Sequence, residues 1–294
     1  MRLANIPFRI ESLLFRTYYE ATGARPGSAP FISGDTFRGL ADQILEKDRE
    51  IDLAHLRPSQ IVFVEQPQIP HFVKDYLPKI KVPFVLITHN GDTNIDDSYR
   101  YLADDRRIRH WFTQNALIQH PKVTGIPLGL ENRNLHTHGV IHDFRALQSR
   151  NSRKITRILF GFTVGNNQQE RLPALNAFRC STVADSMERI NSRAYRKRLA
   201  RYAFVASPPG SGMDCHRTWE ALYLRTIPIV RRSRLYDSFP GLPVLAVDDW
   251  SEITDWDVQF LEKTYERLSS ELEKTPLLRF EYWADLIRRS SAQA

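Results

Sequence analysis

The densest chemistry in the chain lies between Tyr202 and Val230, which reads Tyr-Ala-Phe-Val-Ala-Ser-Pro-Pro-Gly-Ser-Gly-Met-Asp-Cys-His-Arg-Thr-Trp-Glu-Ala-Leu-Tyr-Leu-Arg-Thr-Ile-Pro-Ile-Val. The order is strand, glycine-rich loop, helix, strand. Gly210 and Gly212 let the backbone turn tightly and approach a ligand. The helix that follows offers unpaired N–H groups and the positive end of its dipole, a combination that attracts phosphate. Ser207, Ser211, Asp214 and His216 sit on or beside this loop, and Arg217 in the first turn can add a two-pronged phosphate contact. Glu220, three residues on, shares the helical face of Arg217. A carboxylate repels phosphate but accepts hydrogen bonds from ribose hydroxyls. Phosphate and hydroxyl sites side by side describe a nucleotide, more narrowly a nucleotide-sugar. The plainer account is a capping Asp214 and a surface Arg217–Glu220 pair worth about a few tenths of a kcal/mol.

A second loop, Gly161-Phe-Thr-Val-Gly-Asn-Asn167, also follows an apolar run, with Arg171 just beyond. Asn166, Asn167 and Arg171 are candidates for the donor diphosphate, against the alternative of an ordinary turn with Asn caps. In the first half, Thr88-His-Asn-Gly-Asp92 ends another apolar run and puts His89 and Asp92 on a turn. Either residue type can act as a general base toward an acceptor hydroxyl. Asn90, Asp35 (otherwise a helix N-cap), Glu131 and Arg133 are the candidate acceptor contacts. No metal is expected. His136-Thr-His138 with His142 would suit zinc if helical, but no acidic or Cys partner is near in sequence, and Asp255-Trp-Asp257 reads as a helix cap rather than a metal-binding Asp-x-Asp.

The elements that must position these residues follow an α/β rhythm. Strands are expected at 61–65, 83–88, 109–113, 122–126, 157–162, 202–206, 226–230 and 243–246. Helices are expected at 36–46, 134–147, 167–178, 214–224, 255–268 and 276–289. Several strands are apolar throughout, as in parallel sheets covered on both faces. The polar stretch Gln148-Ser-Arg-Asn-Ser-Arg-Lys154 divides two sets of four strands, predicting domains 1–151 and 152–294 with a cleft between them.

The chain has 294 residues, 42% hydrophobic and 26% charged, which excludes a disordered, collagen-like or disulfide-stapled chain. No apolar run approaches the ~20 residues of a membrane span, and Met1–Phe8 has no apolar signal core. A cytoplasmic chain with Cys180 and Cys215 as free thiols is the expectation. The net charge of +7 favours anionic partners. The clusters Arg231–Arg234, Arg193–Arg201 and Arg288-Arg289 predict attraction to an anionic membrane or polyanionic acceptor, at about 1 kcal/mol per basic residue. Nucleic acid is not an expected partner, because interleaved aromatics and known modules are absent. A phosphotransferase using the same loop would want a lysine after Gly212, where Met213 stands. A nucleotide- or glycan-binding module without catalysis is the other alternative.

The run Ser207–Leu222, followed by Ile227-Pro-Ile-Val230, resembles the donor-binding half of exostosin-like glycosyltransferases, above all the branch that includes ribitol xylosyltransferase-like proteins. The layout is also similar to that of α1,3-fucosyltransferases. The resemblance is strong over about residues 155–250 and general before them. It implies a GT-B fold, two Rossmann-like domains facing a cleft, with an N-terminal acceptor domain and a C-terminal nucleotide-sugar domain. It implies an inverting, metal-independent transferase using a nucleotide-sugar such as a UDP-sugar as co-substrate, with xylose among the candidate sugars and no other cofactor. The acceptor would be a glycan or glycolipid, such as a lipid-linked or cell-surface precursor. Arg225 departs from the pattern, which has a small residue there, and is expected to narrow the donor pocket or add charge to it.

Overall fold

The computed structural model describes residues 8–149 and 153–292. Apolar runs with no polar face become central strands. The first sheet contains β1 (Gln43–Leu45), β2 (Ile61–Glu65), β3 (Phe84–His89), β4 (Ile108–Thr113) and β5 (Val123–Gly125), all parallel and in sequential order. Every residue of β3 is buried. One face of this sheet, with Phe63, Val85, Ile87 and Phe112, belongs to a core that runs on through the second half. The other face, with Val62, Val64, Leu86 and Trp111, has its own smaller core.

The second sheet contains β6 (Ile155–Phe160), β7 (Ala184–Ser186), β8 (Tyr202–Ala206), β9 (Ile227–Arg231) and β10 (Leu245–Val247), all parallel, in the order β10-β9-β8-β6-β7. Counted from its own first strand this is 2-1-3-4-5, a doubly wound order. Its strands change winding direction between β6 and β8, and a crevice opens outside the carboxyl ends of such a pair. The loops after β6 and β8 are the two singled out by their glycines and asparagines.

The helices are α1 (Phe8–Thr22), α2 (Gly34–Arg38), α3 (Ile69–His71), α4 (Arg100–Asp104), α5 (Ile141–Gln148), α6 (Gln168–Cys180), α7 (Ser192–Leu199), α8 (His216–Tyr223), α9 (Val258–Lys274) and α10 (Phe280–Ala292). Among the described residues none is long and apolar enough to cross a membrane. The last helix buries Trp283 and Ile287 and packs back on β3 and β4 of the first sheet. Phe280 meets the Phe37 ring edge-on at 5.8 Å.

The eight expected strands are present within about three residues at each end. Two expected helices are not as drawn. The helix over 36–46 stops at Arg38, with Gly39 as its C-cap, and Ile44 and Leu45 instead form an edge strand whose apolar side chains are buried. The helix over 134–147 begins only at Ile141, because His136 has a left-handed backbone (φ 45°) and Glu131 captures the amides of 137–139. β1, β7, α1, α3, α4 and α7 were not anticipated as elements. The boundary between 151 and 152 lies outside the described residues.

Candidate functional site

The carboxyl ends of the two sheets face each other across a cavity of about 1760 Å³. Its second-half wall comes from the loops after β6 and β8 and from the start of α8. Its first-half wall comes from the loops after β3 and β5, with α1 and Thr137-His138 at the rim.

The loop after β8 is stiff because the protein binds most of it. Ser207 N–H donates to Ile229 O at 2.8 Å and its hydroxyl pairs with that of Thr218 at 2.9 Å. Asn167 caps α6 and donates to Gly210 O at 3.0 Å. Arg171 is buried and donates to Pro209 O at 2.7 Å and Thr163 O at 2.9 Å, tying the two loops together. The glycines answer to the chain rather than to a ligand. A Cβ on Gly210 would lie 3.0 Å from Arg171 Nη2, and one on Gly212 would lie 2.8 Å from Asn115 Nδ2.

The first half also holds this loop. Asn94 and Asn115 accept from Met213 N–H at 3.2 Å and Asp214 N–H at 2.8 Å. Asp214 is buried and accepts from Leu128 N–H, Cys215 N–H and Trp219 Nε1–H, all at 2.8–2.9 Å. Burial still pushes its carboxyl up to about 6 against those donated bonds. His216 donates from Nδ1 to Gly129 O at 2.8 Å. Asp214 and His216 therefore fasten the halves together at the cavity edge. The N-cap of α8 is Cys215, not Asp214.

These bonds use the amides of Ser207, Gly210, Met213, Asp214 and Cys215. Those of Ser211, Gly212, His216 and Arg217 have no hydrogen-bond partner among the described residues. His216 and Arg217 open α8, where an anion is favoured, and Ser211 and Gly212 lie in the loop before it. Beside them the Arg217 guanidinium is only partly used, donating to Gly161 O at 3.0 Å and Ala206 O at 3.4 Å. It lies 5.9 Å from the centroids of both Phe162 and Tyr195.

Glu220 lines the same cavity and is 2% exposed. Its Oε1 has no hydrogen-bond partner among the described residues, and neither has the Tyr195 hydroxyl. Tyr195 is fully buried and its hydroxyl titrates high, at about 12. The nearest cation to Glu220 is His138, with Nδ1 3.6 Å from Oε1. Burial pulls His138 down and pushes Glu220 up, but their mutual attraction prevails, so His138 titrates above its ordinary value and Glu220 below. Sequence reasoning missed Tyr195, Phe162 and His138. Tyr195 was hidden in a run read only as basic, and His138 was weighed only as a metal ligand.

In the first half, Asp92 is exposed and lines the cavity. His89 also reaches the wall, but its ring is fully buried. Nε2 donates to Pro127 O at 3.0 Å, and Nδ1 accepts from Asn90 N–H at 2.7 Å. Burial lowers its pKa to about 4. With both nitrogens occupied, the ring serves as a buried strut. Asn90 lines the cavity and accepts from Asn132 Nδ2 at 3.0 Å. Glu131 lines it too, with Oε2 accepting from the amides of Thr137, His138 and Gly139.

Asp35, Arg133 and Asn167 are not on the cavity wall. Asp35 is buried against Arg25 at 2.6 Å, and Arg133 donates to Gly27 O at 3.1 Å. Arg225 does not reach this cavity either. It takes a left-handed backbone (φ 57°) just after α8, which is why a small residue suits the position. Its side chain turns to Glu273 beside a separate cavity of about 590 Å³. His136, stacked on Phe15 at 4.2 Å, and His142, 3.1 Å from Asp143, both approach Glu11 Oε1 at 3.4 and 4.0 Å, whereas His138 faces Glu220. Asp257 caps α9 by accepting from Phe260 N–H at 2.7 Å.

No protein-family profile matches the chain, and no curated protein is significantly similar to it in sequence. Its likeness is to solved structures. One described as apo OtsA superposes with a TM-score of 0.50 at 8% identity, over 82% of this chain and 75% of that one. A UDP-forming α,α-trehalose-phosphate synthase from Burkholderia vietnamiensis gives 0.48 at 9% identity, over 82% and 76%. The likeness is one of fold: two facing parallel sheets in the GT-B arrangement of these structures.

Proposed function

We propose that the chain is a glycosyltransferase that moves a sugar from a nucleotide-diphosphate sugar to an acceptor hydroxyl. The observation that carries this reading is the pairing of two unfilled sites on one wall. Four unpaired amides and Arg217 form one; Glu220 Oε1, which faces His138 at 3.6 Å but accepts no hydrogen bond among the described residues, and the Tyr195 hydroxyl form the other. The first suits a diphosphate and the second the hydroxyls of a ribose. Residues 152–294 thus form the donor side and residues 1–151 the acceptor side.

In the proposed reaction the acceptor oxygen bonds to the anomeric carbon as the bond from that carbon to the diphosphate oxygen breaks. Negative charge grows on the departing diphosphate, where the amides and Arg217 are already in place to stabilise it. Asp92 takes the acceptor proton, while Asn90 and Glu131 orient the acceptor. Because attack and departure are on opposite faces, the product is inverted. Arg171, Asn167, Ser207, Gly210 and Gly212 are positioning residues that hold the loop in shape. Asp214 and His216 fix it to the acceptor side. The exostosin-like pattern of 207–222 favours a UDP-sugar, xylose included, and a glycan or glycolipid acceptor. No metal enters the proposed step.

The test is a panel of nucleotide-sugars scored for nucleoside diphosphate release, with and without a chelator. Arg217→Ala should weaken donor binding about 10- to 100-fold, the loss of a charged bidentate contact. Asp92→Asn should leave donor binding intact and stop transfer. Unchanged nucleotide affinity in the Arg217 variant would overturn the donor site, and full turnover in Asp92→Asn would remove the base.

A further inference from the structure

Helix α1 forms one lip of the cavity, contributing Arg9, Leu13 and Arg16 to its rim. Its inner side is anchored. Glu11 is buried and accepts from Arg193 Nη2 at 2.7 Å, and Phe15 stacks on His136. Its outer side is bare: Ile10, Leu13, Leu14 and Tyr18 follow the i, i+3, i+4, i+8 spacing of a single helical face, and each is between 50% and 65% exposed. An apolar stripe of this size on a helix edged by arginines is the signature of a segment that lies in a lipid–water interface. The opposite lip repeats the pattern, with exposed Arg189 and Ile190 on the same rim.

Charge decides the occupant. Arg9, Arg16 and Arg189 form no ion pair among the described residues. The clusters expected from the sequence to attract a membrane are paired in part, and Lys197, Arg198, Arg201 and Arg289 form no ion pair among the described residues. Arg193 and Arg196 pair with Asp143, Arg231 with Glu170, Arg232 with Asp248, Arg234 with Asp97, and Arg288 with Asp285. We infer that the α1 face docks on an anionic lipid surface, with the cavity mouth opening onto the headgroup layer. The inference stands on the surface alone and does not need the glycosyl-transfer reading.

The test uses the full chain with vesicles of phosphatidylcholine, with and without phosphatidylglycerol, read by flotation. The chain should bind the mixed vesicles, and added salt should weaken that binding. The triple variant Ile10→Glu, Leu14→Glu, Tyr18→Glu should partition about a hundredfold less well. Its melting temperature, and the rise that UDP gives, should match those of the parent. Equal vesicle binding by parent and variant would overturn the proposal. So would a dimer, seen by ultracentrifugation, that the same substitutions dissolve, since a second copy would then cover the face. Absence of any UDP shift in the parent counts against the donor site and leaves the vesicle result standing.

Discussion

Acidification should loosen the cavity through His89. The ring is fully buried in its neutral form, donating to Pro127 O and accepting from Asn90 N–H. A proton on Nδ1 would face that amide hydrogen and break the bond. The folded pKa is about 4 and the ordinary value 6.5. Between these values the unfolded chain binds the proton and the folded one does not, so stability falls as pH drops from 6.5 towards 4. The gap corresponds to about 3 kcal/mol. His89→Gln keeps a donor and an acceptor but cannot titrate. Urea unfolding of both proteins at neutral pH and near pH 4 isolates the residue from every other titrating group. At neutral pH the parent should be the more stable, and its advantage should shrink by about 3 kcal/mol across the window. A stability difference independent of pH would refute the reasoning and free the imidazole to act as a base.

Asp214→Asn should cost about 2 kcal/mol at neutral pH, read by urea unfolding, because an amide cannot accept from the three N–H groups that meet this carboxylate. Glu220→Gln should weaken nucleoside diphosphate binding about tenfold in a calorimetric titration, by replacing a carboxylate oxygen that accepts no hydrogen bond among the described residues; equal affinity would remove Glu220 from the proposed donor site. Arg225→Gly should change stability by no more than about 1 kcal/mol. Relief of the left-handed backbone offsets the entropy cost of glycine and the loss of an exposed pair with Glu273. The same variant should bind nucleotide normally.

What the sequence made legible was whatever is local. Parallel strands buried on both faces leave unbroken apolar runs, so Ile61–Glu65, Phe84–His89 and Tyr202–Ala206 were visible at once. The loops after β6 and β8 stood out by composition, and the fold brings both to one crevice. What stayed hidden depends on long-range partners. Gly210 and Gly212 invited a ligand reading, but the approaching atoms belong to Arg171 and Asn115. His89 looked like a free base until Pro127 O and Asn90 N–H occupied it. The run Arg193–Arg201 looked like a solvated basic face, yet Tyr195 and Arg196 point inward and form part of α7.

The two sheets differ in a way that bears on specificity. The second has its strand order reversed at β6 and β8, so its backbone alone creates a crevice, and the loop that floors it is bonded at most of its amides. The first runs β1 to β5 in simple succession and has no such reversal. Its contribution to the cavity is loop ends and a helix lip: His89–Asp92, Leu128–Glu131 and α1. A crevice built by strand order and locked by hydrogen bonds is preorganised, and binding there loses little freedom. A wall of loop ends is set by side chains that can change without disturbing the sheet beneath them. The proposed donor side should therefore tolerate little substitution between Ser207 and Glu220. Exchanges along the rim of α1 should alter which acceptor the proposed transferase uses while nucleotide affinity holds constant, and a loss of nucleotide affinity in those exchanges would show that the walls are not independent.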